Sequence, residues 1–110
     1  MSADRIPTLV ELLAADPTDW LGHLMLGNEY LAADRPADAV RHLAVYCERF
    51  EGDKGAACLS LARALEAVGD LGAAKAALAR GVVSASAFRH RALLETLELE
   101  IARLAEVTSA

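Results

Sequence analysis

Three histidines (His23, His42 and His90) and two cysteines (Cys47 and Cys58) are the side chains best suited to chemistry. Histidine and cysteine hold zinc when they recur at short, fixed spacings on one surface. His42 and Cys47 are five apart, poor facing for two ligands on a helix, and no His/Cys cluster here has zinc spacing. His23 and Cys58 are 35 apart, equivalent positions in two successive repeats. A neighbouring imidazole can activate a thiol, but these positions normally face adjacent helices, so two packing residues are expected. A Cys47–Cys58 bridge is conceivable between consecutive helices, but two thiols in a cysteine-poor chain point to a reduced compartment and burial. No Gly-rich phosphate loop follows a strand. Glu95, Glu98 and Glu100 read as a solvated helix face. The lone tryptophan, Trp20, follows Asp19 at a helix start, where an aromatic packs on the preceding helix; stacking on a ligand is its alternative role. No catalytic residue, cofactor or metal is expected.

These residues sit in a chain of 110 residues, enough for one compact domain. The composition is 55% hydrophobic but only 5% aromatic, so much of the apolar material is Ala and Leu, both strong helix formers. The expected fold class is therefore all-α, with about six helices. The net charge of −5 lies entirely in residues 1–55, which carry 10 acidic and 5 basic side chains. An acidic half repels phosphate, which speaks against nucleic acid as a partner. No apolar run approaches membrane-spanning length, and no secretory signal opens the chain, so a cytoplasmic location is expected.

Helix signals divide the chain clearly. Ile6–Ala15 forms a short first helix with Pro7 in its first turn and Ile6, Leu9, Val10 and Leu13 on one face. Asp16-Pro17-Thr18-Asp19 stops it, and Thr18 or Asp19 caps the next helix, from about Trp20 to Ala33. Pro36 opens the third helix, which carries Val40, Leu43, Ala44 and Tyr46 inward and ends near Phe50, with Gly52 as a left-handed cap. A fourth helix spans about Lys54–Val68, and a fifth runs from Leu71 to about Ser84 with Gly81 inside it. Ser84-Ala85-Ser86 reads as a boundary. The last helix, about Ala87–Val107, bears the stripe Leu93, Leu97, Ile101 and Leu104, and its end should fray.

The strongest pattern is a repeat of 35 residues. Leu24, Leu26, Gly27, Tyr30, Ala32, Asp34, Ala39, Leu43 and Ala44 are answered by Leu59, Leu61, Ala62, Leu65, Ala67, Gly69, Ala74, Leu78 and Ala79. Such a period means stacked helix pairs, each too small to bury its apolar face alone. Gly27 and Ala62 fall where the two helices of a hairpin should cross, and small residues there let the axes approach.

Leu26, Gly27, Tyr30, Ala39 and Leu43, then Leu61, Ala62, Leu65, Gly69, Ala74 and Leu78, resemble the tetratricopeptide repeat over about residues 16–84. The chain is similar to short bacterial members of that family with two repeats and helical caps. Departures are Asp34 at the turn glycine, the missing Gly and Tyr in the second unit, and the absence of a closing proline. The resemblance implies a right-handed superhelical stack of antiparallel helix pairs: a half-repeat over 6–15, repeats over 20–52 and 54–84, and a cap over 87–107.

The resemblance also implies a concave groove lined by the first helix of each unit. Its positions map onto Leu21, Leu24, Met25, Asn28 and Leu31, then Ala56, Leu59, Ser60, Arg63 and Glu66, with His90, Leu94 and Leu97 from the last helix. Some family members grip a C-terminal carboxylate with Lys, Asn and Arg. Here Asn28 matches one clamp asparagine, but Leu24 and Ser60 replace other clamp residues, so that clamp is not expected. The expected function is non-catalytic binding of a peptide or helix of a partner protein. The alternative is a homodimer through the same apolar groove, since an exposed apolar patch favours self-association. Arg63 and Glu66, three apart, could pair with each other.

Overall fold

The computed structural model describes residues 5–49 and 55–109. Among them are six α-helices and no strand: α1 (Ile6–Ala15), α2 (Trp20–Ala32), α3 (Pro36–Arg49), α4 (Ala56–Ala67), α5 (Leu71–Ala87) and α6 (Arg91–Ser109). The expected cap at Gly52 and the helix ends at Phe50 and Lys54 lie outside the described residues.

Each helix packs on the next, and α2 also touches α4. α1 buries Leu9 and Leu13 and half-buries Ile6 against the core, but Val10, expected on the same face, is 44% exposed. Between α1 and α2, Thr18 turns back to Asp16, so the cap of α2 falls to Asp19, whose Oδ1 accepts from the Gly22 N–H at 3.0 Å. Arg5, just before α1, pairs with Glu29 of α2 at 3.1 Å and ties the first helix down.

Three helix ends share one hydrogen-bonding pattern. Asp34 N–H donates to Leu31 O and Arg35 N–H to Tyr30 O. Gly69 donates to Glu66 and Asp70 to Leu65; Arg89 donates to Ser86 and His90 to Ala85. These paired bonds make the Schellman motif, whose penultimate residue takes the left-handed conformation. Asp34, Gly69 and Arg89 do so, with φ of 59°, 87° and 56°. Residues capable of starting a helix follow each turn: Pro36 opens α3, Asp70 Oδ1 caps Ala73 N–H, and His90 Nδ1 caps Leu93 N–H.

The third turn corrects the expected end of the fifth helix. Ser84-Ala85-Ser86 is not a boundary: α5 runs through it to Ala87, and the break is Phe88-Arg89-His90. Serine lowers helix propensity only slightly, and no glycine or proline marks the actual turn. α6 then begins at Arg91, 35 residues after α4 begins at Ala56.

One apolar cluster runs from Leu9 to Leu104 and includes Leu26, Leu43, Leu61, Leu78 and Leu97. Two of its close approaches place a glycine against a leucine. A methyl group built on Gly27 would lie 2.6 Å from Leu43 Cγ, so α2 and α3 cross where sequence spacing places them. At the other end the sizes exchange helices: Gly81 of α5 faces Cys58 of α4 and Leu97 of α6. This close packing is the compensation expected for a glycine inside α5.

Candidate functional site

The expected groove residues divide by environment. Leu24, Met25 and Leu31 of α2 and Leu59 of α4 are half-buried and lean on the core. Leu21 stands 60% exposed, Asn28, Ala56 and Arg63 are exposed, and Ser60 is half-buried. These positions make a mixed surface along the two first helices, apolar on α2 and polar on α4.

The remaining expected positions have other work. Glu66 does not pair with Arg63. It receives the Arg103 guanidinium of α6, with Arg103 Nη1 at 2.9 Å, and Arg103 also reaches Glu100 at 3.1 Å. The Arg103 hydrogen bond holds the Glu66 carboxyl below the usual carboxylate range, so it stays ionised. His90 is an exposed helix cap rather than a groove residue, because the turn ending α5 falls there. Leu97 is fully buried against Gly81 and cannot face a ligand, whereas Leu94 is half-buried.

The most organised cluster of ring side chains lies on α2 and α3. Trp20 stacks on His23 at 6.0 Å between centroids, His23 meets His42 at 5.3 Å, and His42 stacks on Tyr30 at 5.7 Å. Arg35 closes the row 4.7 Å above the Tyr30 ring. The Pro17 carbonyl, 3.0 Å from His23 Nε2, can only accept, so Nε2 carries a proton. In the neutral ring His23 Nδ1 is then the acceptor for His42 Nδ1–H, at 3.1 Å. Burial, then the nearby charges of His23 and Arg41, push the His42 pKa down, with Asp38 opposing them.

The row was missed in the sequence because His23 was matched to its repeat equivalent, Cys58. Repeat spacing identifies equivalent positions, whereas contacts follow the antiparallel hairpin. Gly27 meets Leu43, Tyr30 meets His42 and His23 also meets His42, so the row is built across the hairpin and not between repeat equivalents. Cys58 instead packs on Gly81, and Cys47 and Cys58 are both buried and not bridged by a disulfide. Among the described residues no group of three or more His, Cys, Asp or Glu side chains is placed to hold a metal. No described helix is long and apolar enough to cross a membrane.

No family model matches the chain, and comparison with curated proteins and with solved structures finds no relative. The site is therefore argued from its own geometry.

Proposed function

We propose that this chain is a non-catalytic interaction module that binds a peptide or helix of a partner protein along α2 and α4, within a right-handed tetratricopeptide-like stack. The observation that carries this reading is where the repeat holds and where it fails. Leu26 and Leu61, Ala39 and Ala74, and Leu43 and Leu78 are identical pairs, and all six are buried. Met25 and Ser60, Asn28 and Arg63, and Leu31 and Glu66 are mismatched pairs, and all six keep some exposure. A scaffold constrains its packing positions, while a recognition surface differs from unit to unit to match one partner.

Peptides selected by display against the folded protein would test it. The reading expects amide shifts in a ¹⁵N spectrum along α2 and α4, centred on Asn28, Ser60 and Arg63. Arg63→Glu should weaken the selected peptide about tenfold, equivalent to roughly 1.4 kcal/mol. Peptides that bind only the outer face of α5 and α6 would overturn it.

A second reading rests on Leu21, an apolar side chain left 60% exposed at the end of this surface. A twin chain could cover it, giving a homodimer through the same face. Light scattering over a hundredfold range of concentration separates the two, since only the dimer changes mass.

A further inference from the structure

His23 joins three parts of the fold through one ring. Its Nε2–H donates to the Pro17 carbonyl in the turn between α1 and α2, at 3.0 Å. Its Nδ1 accepts the His42 Nδ1–H from α3, at 3.1 Å. Its face stacks on Trp20 at the start of α2. Both imidazoles are half-buried. Both nitrogens of His23 are therefore committed, and among the described residues no hydrogen bond uses His42 Nε2.

These commitments decide where protons can go. The neutral pair holds one hydrogen between its rings. A first added proton enters at His42 Nε2, and the bond from His42 Nδ1–H to His23 survives with a charged donor, which strengthens it. A second can enter only at His23 Nδ1, the acceptor of the shared bond. Two N–H groups then face each other across 3.1 Å, and two positive rings stand 5.3 Å apart. The contact turns from attraction to repulsion. His23 must swing away, which takes it off the Pro17 carbonyl and the Trp20 ring.

The surrounding charges leave this repulsion in place. Burial, then the charges of His23 and Arg41, oppose a proton on His42, and Asp38 favours it. Asp38 is already paired with Arg35 at 2.8 Å and Arg41 at 2.9 Å. Tyr30 stacks on His42, and Arg35 lies above Tyr30. In the turn beside His23, the Asp16 carboxylate accepts from Thr18 and that of Asp19 from Gly22. The only charged side chain of α1, which packs on α2, is the exposed Glu11. Those of α4, which packs on α3, are the exposed Arg63 and Glu66, which Arg103 holds. Among the described residues no carboxylate forms an ion pair with either imidazole.

We propose that the His23–His42 pair is a pH switch of the α1–α2 corner, closed while at most one of the two rings is charged and open when both are. The element that moves is the Asp16–Asp19 turn with the first turn of α2. α1 stays docked, because Leu9, Leu13 and the Arg5–Glu29 pair hold it independently of the rings. The switch does not rest on the function proposed for α2 and α4.

The full chain is titrated downward from about pH 7.5 through the histidine range, with circular dichroism marking where the helices melt. Long-range ¹H–¹⁵N spectra of the imidazoles report which nitrogens carry hydrogen. At the start they should show His23 protonated at Nε2 alone and His42 at Nδ1 alone. Once both rings are charged, ring-to-ring nuclear Overhauser contacts between His23 and Trp20 should be lost, whereas those between His42 and Tyr30 persist. His42→Phe removes the second charge and should keep the His23–Trp20 contact throughout; an unchanged circular dichroism spectrum confirms its fold, and the wild-type measurements stand without it. The opposite tautomers at the start, a His23–Trp20 contact that survives with both rings charged, or melting of the helices before the second proton enters would overturn the proposal. So would simultaneous loss of the His42–Tyr30 contact, or the same loss at Trp20 in the folded variant.

Discussion

His23 Nδ1 lies 3.1 Å from His42 Nδ1, so two rings on successive helices share a single hydrogen. With His23 Nε2–H committed to Pro17, the His42 Nδ1–H completes the row from Trp20 to Tyr30. Burial is the main cause that lowers the His42 pKa in the fold, below the unfolded value of about 6.5. Between those two values the unfolded chain binds more protons than the folded one, so stability rises with pH there. Stability should therefore be intact above pH 6.5 and fall as the pH drops below it toward the lowered value. His42→Phe keeps a ring against Tyr30 but cannot take a proton. It should lose about 1 kcal/mol at pH 7.5 with the hydrogen bond, and its urea midpoint should change less between pH 7.5 and 5.5. An equal slope in both proteins would rule out His42 as the source.

Two helical glycines, the crowded Gly27 and the open Gly72, should respond oppositely to alanine. A Cβ on Gly27 would meet Leu43 Cγ at 2.6 Å and Cδ2 at 2.8 Å, and the Leu43 backbone nitrogen at 3.4 Å leaves little room to retreat. Overpacking costs about 1–3 kcal/mol, which outweighs the gain of about 1 kcal/mol in helix propensity. Gly27→Ala should destabilise by about 1 kcal/mol. Gly72, with nothing nearer than Asp70 Oδ1 at 4.0 Å, collects the propensity alone. Gly72→Ala should stabilise by about 0.5 kcal/mol. Chemical denaturation of both variants checks the contrast.

The three Schellman turns give a second paired test. Arg89 holds a left-handed conformation that costs an L-residue about 1–2 kcal/mol, less where Asp takes it, as at Asp34. Gly69 holds it without that cost and has open space around its Cα. Arg89→Gly should raise stability by about 0.5–1 kcal/mol after the greater freedom of the unfolded glycine is subtracted. Asp34→Gly should gain less, and Gly69→Ala should lose about 1 kcal/mol. Thermal midpoints of the three variants, measured side by side, provide the order.

Much of this architecture could be read in the sequence, and what escaped has physical causes. Asp16-Pro17 and Pro36 mark two helix boundaries because proline removes a donor and fixes φ, which leaves a mark in the residue type. The turn at Arg89 leaves no such mark: its hydrogen bonds are all backbone, and arginine tolerates the strained φ without any sequence sign of it. The inward face of α3 (Val40, Leu43, Ala44 and Tyr46) and the stripe of α6 (Leu93, Leu97, Ile101 and Leu104) were legible because burial follows a period of 3.6 residues. The position of Glu66 was not, since its partner Arg103 lies 37 residues away on α6, beyond the reach of helix-periodic reasoning. The contacts of His42 with His23 and Tyr30 escaped for the same reason, being built across a hairpin from residues that local spacing does not relate.

The fully buried Leu97 tests whether α6 belongs to the same cooperative unit as the two repeats. It fills the hollow at Gly81, and the cluster it joins runs without interruption to Leu9. Stacked helix pairs can unfold from an end when neighbouring units are weakly coupled. Here the shared cluster, the Arg80 bond to the Cys47 carbonyl between α5 and α3, and the Arg103–Glu66 pair between α6 and α4 all cross unit boundaries. Leu97→Ala should therefore cost about 3 kcal/mol, within the range for removing a buried leucine side chain. The loss should appear equally at both ends of the chain. Trp20 fluorescence reports α2, circular dichroism reports all the helices, and their urea transitions should shift together. A fluorescence transition left at its wild-type midpoint while the helical signal shifts would show that α6 unfolds as a separate cap.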